Sequence, residues 1–310
     1  MQTNSFVARP LAWSSRMALL LAVGAIVVAG MLFPSPAHAA ASPTYYVSLG
    51  DSYSVGYQPG PNGAAGTSTP GYTVYTAKRL NMTLANFGCG GATTTSIIST
   101  IGCPDVLKNT VGLQKYPTTT QIAAADSFIK SHKGHIGLIT VSIGGNDVTA
   151  CASSSNPIPC VGTATSNITT NVSALASDLR AAAGPNVQII GLTYPDVILG
   201  SYVYPTNPGG ASAISLAQLS VVAFKSLINP ALSAAYAQAG GSFVDVTAAT
   251  GAYTPLTNVV KTKTFGTIPV PVASVCALTW FCNQGNIHAK TPGYTLEGQL
   301  IVKQYKKAKK

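Results

Sequence analysis

Five short, continuous apolar runs recur at wide intervals along the chain: Tyr45–Leu49, Thr83–Phe87, Ile136–Ile143, Val187–Thr193 and Ser242–Val246. Strict alternation of apolar and polar residues would suit a sheet with one wet face. Runs that stay apolar suit parallel strands covered on both faces. Between and after them lie helical stretches at Gly71–Leu80, Thr119–Ser131, Thr163–Ala183, Ala211–Ala239 and Thr291–Lys307. In the third of these Ile168, Val172, Leu175 and Leu179 share one face. In the fourth, Asn229-Pro230 predicts a kink or break, because proline has no N–H to donate. Strand–helix alternation of this kind predicts an α/β fold, a three-layer α/β/α sandwich around a mostly parallel, flavodoxin-like central sheet.

The N-terminal segment stands apart from that rhythm. Arg9 and Arg16 precede an apolar run, Met17–Phe33, and Pro34 leads to the Ala-x-Ala site Ala37-His38-Ala39. That is the layout of a cleaved secretory signal, and residues 1–39 are read as one. The apolar run is slightly long, so an uncleaved anchor is the alternative. No other segment reads as long and apolar enough to span a bilayer, so the mature protein is expected to be soluble and secreted. Residues 40–310 remain, enough for one domain with a well-buried core.

Charge excludes some partners. Without Arg9 and Arg16 the chain has 16 basic against 8 acidic residues, a net charge of +8. Five lysines crowd into Val302–Lys310, where the negative end of a helix dipole favours them. Weak attraction to anionic lipid or cell-wall polymer is the second reading of that cluster. No nucleic-acid motif accompanies the charge, and the chain is expected to act as a monomer. Six cysteines lie beyond the signal segment, and an even number in an oxidising compartment implies disulfides. They fall into three close couples, read as Cys89–Cys103, Cys151–Cys160 and Cys276–Cys282. A zinc site is the poorer reading, since histidines are few and no Cys-x-x-Cys occurs. No metal or other cofactor is expected.

Two stretches, Pro195–Gly210 and Thr247–Asn286, are too long to be mere connections. Both come after strands, so both should lie over the carboxyl edge of the sheet, where ligands of open α/β sheets bind. The segments at that edge are chemically specific: Gly50-Asp51-Ser52-Tyr53, then Cys89-Gly90-Gly91-Ala92-Thr93, then Gly144-Gly145-Asn146-Asp147, and finally Asn286-Ile287-His288 before the last helix. Together they supply a serine, backbone N–H groups at glycines, a side-chain amide and an imidazole, the parts that acyl transfer requires. Of the histidines beyond the signal segment, His132 and His135 precede the third strand at the opposite edge and read as polar loop residues. His288 alone is placed to reach Ser52. Asp51 and Asp147 are read as shaping their loops. Trp280 and the tyrosines of the long loops are read as packing and lining a substrate groove.

These four blocks, in this order from Ser48 to His288, resemble the secreted GDSL-type esterases and lipases of the SGNH hydrolase superfamily. The resemblance implies that Ser52 is the nucleophile and His288 its general base. It also implies an oxyanion hole made by the N–H groups of Ser52 and Gly91 and the side-chain amide of Asn146. One departure is evident. The family usually places an aspartate three residues before the histidine, and here that position is Gly285. A Ser52–His288 dyad is therefore expected, its Nδ1–H held by a backbone carbonyl, of Gly285 or a neighbour in Trp280–Gly285. The side-chain oxygens of Asn283 and Asn286 are the alternatives. Cys276–Cys282 would brace that loop. The expected activity is hydrolysis of carboxylic esters, including lipid acyl esters. Deacetylation of polysaccharides is the second reading, and a non-catalytic binding protein on the same scaffold is the reading from another class.

Overall fold

The computed structural model describes residues 44–61 and 64–309. The expected signal segment, residues 1–39, lies outside them. The predicted strands form a sheet from β1 (Tyr45–Gly50), β2 (Thr83–Asn86), β3 (Ile136–Ser142), β4 (Gln188–Leu192) and β5 (Ser242–Val244). All neighbours pair in parallel, in the order β2-β1-β3-β4-β5. This is the flavodoxin-like order, and its direction reverses between β1 and β3. The loops after those two strands carry Ser52 and Asn146.

Side chains of successive strand residues point to opposite faces, and the core divides accordingly. Val47, Leu49, Ile139 and Val141 pack beneath α2 (Gln121–Ser131), α3 (Pro157–Ala183) and α5 (Asn229–Gln238). Tyr46, Leu138, Ile190 and Val244 face α1 (Tyr72–Leu80) and α6 (Thr291–Lys307). These are the three layers. Arg180, in the last turn of α3, donates to the carbonyls of Ala239, Gly184 and Val187, tying two helix ends to the entry of β4.

Several sequence expectations are corrected. α3 begins at Pro157, six residues before the predicted start, with proline in the first turn, where its missing N–H costs nothing. The break at Asn229-Pro230 does not occur. Helix α4 (Ala211–Ala223) passes through one π turn, Phe224–Ile228, directly into α5. The Asn229 N–H reaches back to the Phe224 carbonyl, a wider turn that makes room for a proline ring. Ala211–Gln238 is thereby one continuous helical run of 28 residues, long and apolar enough to cross a membrane. That overturns the expectation that no segment after the first apolar run would qualify. Thr247–Asn286 is not one structureless loop either. It contains a hairpin (Val259–Thr262 with Gly266–Pro269) and a helix, Val270–Leu278. Its side chains form a satellite core in which Leu199 and Val203 meet Val272, Val275 and Cys276.

The three cysteine couples are disulfide-bonded as read from the sequence: Cys89–Cys103, Cys151–Cys160 and Cys276–Cys282. The first ties the β2 loop to the chain beyond it. The second pins the start of α3 to the turn after Asn146. The third closes the loop leading to His288.

Candidate active site

β1 ends where its backbone comes too close to β3 for any side chain. At Gly50, with φ of +140°, a Cβ would lie 2.1 Å from the Ser142 carbonyl oxygen. Buried Gln121 holds this strand end from the other side. Its Oε1 accepts from the Gly50 N–H at 2.7 Å and its Nε2 donates to the Gly50 carbonyl at 3.2 Å. The chain then turns, with the Asp51 N–H on the Ser142 carbonyl and the Tyr57 N–H on the Ser52 carbonyl. Ser52 is left at the mouth of the turn, 7 % exposed.

His288 comes to this serine from the other end of the chain. Its carbonyl accepts from the Trp280 N–H, and Thr279 pairs with Ala289 in an antiparallel bridge. The Tyr53 hydroxyl donates to the Ile287 carbonyl at 2.5 Å, and the imidazole packs against the Tyr53 and Tyr57 rings. So held, His288 Nε2 is 2.8 Å from Ser52 Oγ.

The other ring nitrogen decides the tautomer. Asn286 Oδ1 is 2.8 Å from His288 Nδ1 and also accepts the His288 backbone N–H at 3.1 Å. A backbone N–H can only donate, so the amide oxygen, not its NH₂, faces the ring. Nδ1 therefore carries the proton and Nε2 presents its lone pair to the serine hydroxyl. This corrects the expected carbonyl partner. Gly285 ends the short helix Phe281–Gln284 in the left-handed conformation, φ of +64°, and its carbonyl makes no bond to the ring. Asn283 Oδ1 instead accepts from Lys290 Nζ at 3.0 Å. Burial pushes the His288 pKa down to about 4, and among the described residues no carboxylate is hydrogen-bonded to the ring to favour its charged form.

The expected oxyanion donors are Gly91, Ser52 and Asn146. Gly91 sits at φ of +70° with open space beside its Cα. Among the described residues neither its N–H nor that of Ser52 has an acceptor within the chain. The Asn146 side-chain amide donates one hydrogen to the Ala92 carbonyl at 2.8 Å, which leaves its second hydrogen free and ties it to the Gly91 loop. Asp147 fixes the same loop by accepting from the Thr94 N–H (2.9 Å) and hydroxyl (2.6 Å). Asp51 accepts from the Tyr53 N–H at 2.9 Å and the Tyr194 hydroxyl at 2.6 Å. Burial raises its pKa to about 7 despite those bonds. His132 and His135 are at the far edge, where the His135 carbonyl accepts from the N–H of Tyr45 at the start of β1.

A groove of about 220 Å³ opens beside Ser52 and Asn146. Its walls are apolar: Val148 and Val161 on one side, Leu216, Phe224 and Ile228 on the other. The Cys151–Cys160 disulfide braces the first wall and the π turn shapes the second. Trp280 is not part of this wall. Its Nε1 donates to Gln58 Oε1 and Lys290 stands over its ring. The sequence places a groove but lines it with Trp280 and the long-loop tyrosines, whereas the observed walls come from the start of α3 and from α4 with its π turn. The roles of Gln121 and Tyr194 left no signal at all.

A model of the GDSL-like lipase/acylhydrolase family matches residues 48–261. The chain belongs to that family. This GDSL hydrolase is therefore a carboxylic ester hydrolase of the SGNH type. The match contains Ser52, Gly91 and Asn146 but stops short of His288, whose assignment rests on its contact with Ser52. Among solved structures, the extracellular lipase from Streptomyces rimosus superposes with a TM-score of 0.50 at 21% identity, covering 84% of this chain and 98% of that one. At such identity the likeness is one of fold. An aryl esterase of M. smegmatis gives a TM-score of 0.42 at 16% identity (85% and 99% covered). A carbohydrate esterase gives 0.43 at 12% (85% and 65% covered). No curated protein matches the chain.

Proposed function

We propose that this GDSL hydrolase is a secreted esterase or lipase that cleaves carboxylic esters bearing an apolar acyl chain. Ser52 Oγ attacks the ester carbonyl carbon and passes its proton to His288 Nε2. The resulting oxyanion accepts hydrogen bonds from the Ser52 and Gly91 N–H groups and the Asn146 amide. His288 returns the proton to the departing alcohol as the C–O bond breaks. Water, deprotonated by His288, then attacks the acyl-serine; the carboxylic acid leaves and Ser52 regains its proton. Asn286 keeps the imidazole in the competent tautomer throughout. The dyad expected from the sequence thus gains a third, neutral member, Asn286, which orients the imidazole and takes no proton.

The observation that carries this reading is the 2.8 Å contact between Ser52 Oγ and His288 Nε2 at the head of an apolar groove. Secretion, with removal of residues 1–39, is supported by the charged and apolar layout of that segment and by three disulfides. The test is hydrolysis of p-nitrophenyl esters of increasing acyl length, with acetylated xylan alongside. The groove predicts rising kcat/KM from acetate to medium-chain esters and little release of acetate from xylan. The reverse order would favour the polysaccharide deacetylase reading, and no turnover of either would leave a binding protein.

A further inference from the structure

Ten large apolar side chains stand exposed among the described residues, and four of them, Ile158, Leu219, Val222 and Leu227, line the one groove that holds Ser52. Ile158 is 66% and Val222 58% exposed. They come from two segments, the first turn of α3 and the α4–π-turn helix, which meet only in the fold. Exposed apolar side chains scattered singly mean little, but a contiguous set around a groove mouth marks an interaction surface.

The helix itself points the same way. The most apolar part of Ala211–Gln238 has a membrane-like composition, yet only 17% of that window is buried inside the protein. Charge is sparse in both segments, and the single charge is positive. Residues 148–177 carry no charged side chain, and Ala211–Gln238 carries only Lys225. Lys225 is exposed on the same helical run, between Val222 and Leu227 in sequence but outside the groove lining, with its ammonium 5.7 Å from the centre of the Tyr253 ring. A lysine there lays its stem along apolar surface and offers its charge to headgroup phosphates.

The C-terminal lysines cannot supply this orientation. Gln188, at the start of β4, donates to the Tyr305 carbonyl at 3.1 Å, so the end of α6 lies at the amino edge of the sheet. Binding through those lysines would turn Ser52 away from a membrane.

We propose that the lip of Ile158, Leu219, Val222 and Leu227, with Lys225, docks onto an anionic phospholipid surface and presents the groove at Ser52 to acyl esters held there. This deepens the esterase reading and rests on it only for the identity of the reacting bond. Apolar side chains enter the headgroup boundary while the protein stays outside the bilayer, as interfacial helices do.

The test uses the mature chain with Ser52→Ala, so that binding is read without turnover. In flotation with vesicles of equal parts phosphatidylglycerol and phosphatidylcholine, this protein should rise with the lipid. Val222→Ser with Leu227→Ser should lower its partition coefficient by about tenfold or more, because two buried aliphatic side chains are lost. Leu227→Trp, made separately, should show a blue shift of its emission on adding vesicles. It keeps the idea testable if the double variant folds poorly. A protein that stays with the soluble fraction overturns the proposal, as does a double variant that floats unchanged. A dimer in sedimentation equilibrium that dissociates on the same double substitution also overturns it, by assigning the lip to a second copy. Failure of the esterase reading is seen separately, as wild-type protein that does not react with a fluorophosphonate.

Discussion

Asn286 Oδ1 lies 2.8 Å from His288 Nδ1, so a neutral amide occupies the place where a carboxylate would ordinarily steady the imidazole. An amide can orient the ring and select its tautomer, but it cannot offset the charge that the ring acquires during proton transfer. The His288 pKa of about 4 is the other face of the same arrangement. In its proposed role as base, His288 stays neutral, and therefore competent, well below the pH at which an ordinary histidine would be protonated.

Activity should accordingly persist into acid. The acid limb of kcat/KM is expected near pH 4, from the depressed His288 pKa. Asn286→Asp places a negative charge beside the ring, favours the imidazolium and should move that limb upward by about a pH unit or more. Asn286→Ala should lower kcat by about tenfold or more, since the tautomer is no longer selected. Profiles on a soluble ester check all three, and an acid limb left unchanged by Asn286→Asp would contradict the assignment.

Asn146 bridges the Gly91 loop and the reaction centre. Asn146→Ala should cost about a hundredfold in kcat, with little change in KM, as loss of one oxyanion donor does elsewhere. Steady-state kinetics separates this from a folding defect, which would lower the amount of active protein that a fluorophosphonate titrates.

Groove width should set chain-length preference. Val161 lies on the groove wall beside Cys160, on the turn pinned by the Cys151–Cys160 disulfide. Val161→Trp should lower the ratio of kcat/KM for p-nitrophenyl decanoate over acetate by about tenfold or more, since one misfitting methylene alone is worth up to about two hundredfold. An unchanged ratio would move the acyl chain elsewhere.

Behind the site, Glu297 is 1% exposed, and among the described residues neither of its carboxylate oxygens has a hydrogen-bond partner. Burial, and then the Asp51 charge, holds its pKa well above the ordinary 4.5. A group with a raised folded pKa contributes stability that is complete below its unfolded pKa and is lost as pH rises toward the folded one. Glu297→Gln removes that titration. At about pH 8 the variant should melt a few degrees above the wild type, with the gap closing toward about pH 5. Calorimetry at the two pH values checks it.

Much of this was legible in the sequence, for physical reasons that also explain what was not. Buried parallel strands must be apolar on both faces, so Ile136–Ile143 and Val187–Thr193 stood out. Ser52, Gly91, Asn146 and His288 could be named as candidates because each sits in a short, chemically unusual loop directly after a strand or before the last helix. The partner of His288 was not legible. Gly285, Asn283 and Asn286 all lay within reach, and the choice depends on a left-handed turn at Gly285 and on Lys290 engaging Asn283. The start of α3 was missed because Pro157–Gly162 has no buried face to give it a period. Its isoleucine and valine point into the groove or to solvent instead.

The central claim is that Ser52 is a nucleophile activated by His288. The most direct measurement is covalent labelling by a fluorophosphonate, with the modified peptide identified by mass spectrometry. The predicted result is stoichiometric modification at Ser52, its rate falling by about a hundredfold or more in His288→Ala as the general base is lost, and none in Ser52→Ala. Wild-type protein that resists labelling, or a Ser52→Ala variant labelled as readily as the wild type, would contradict it.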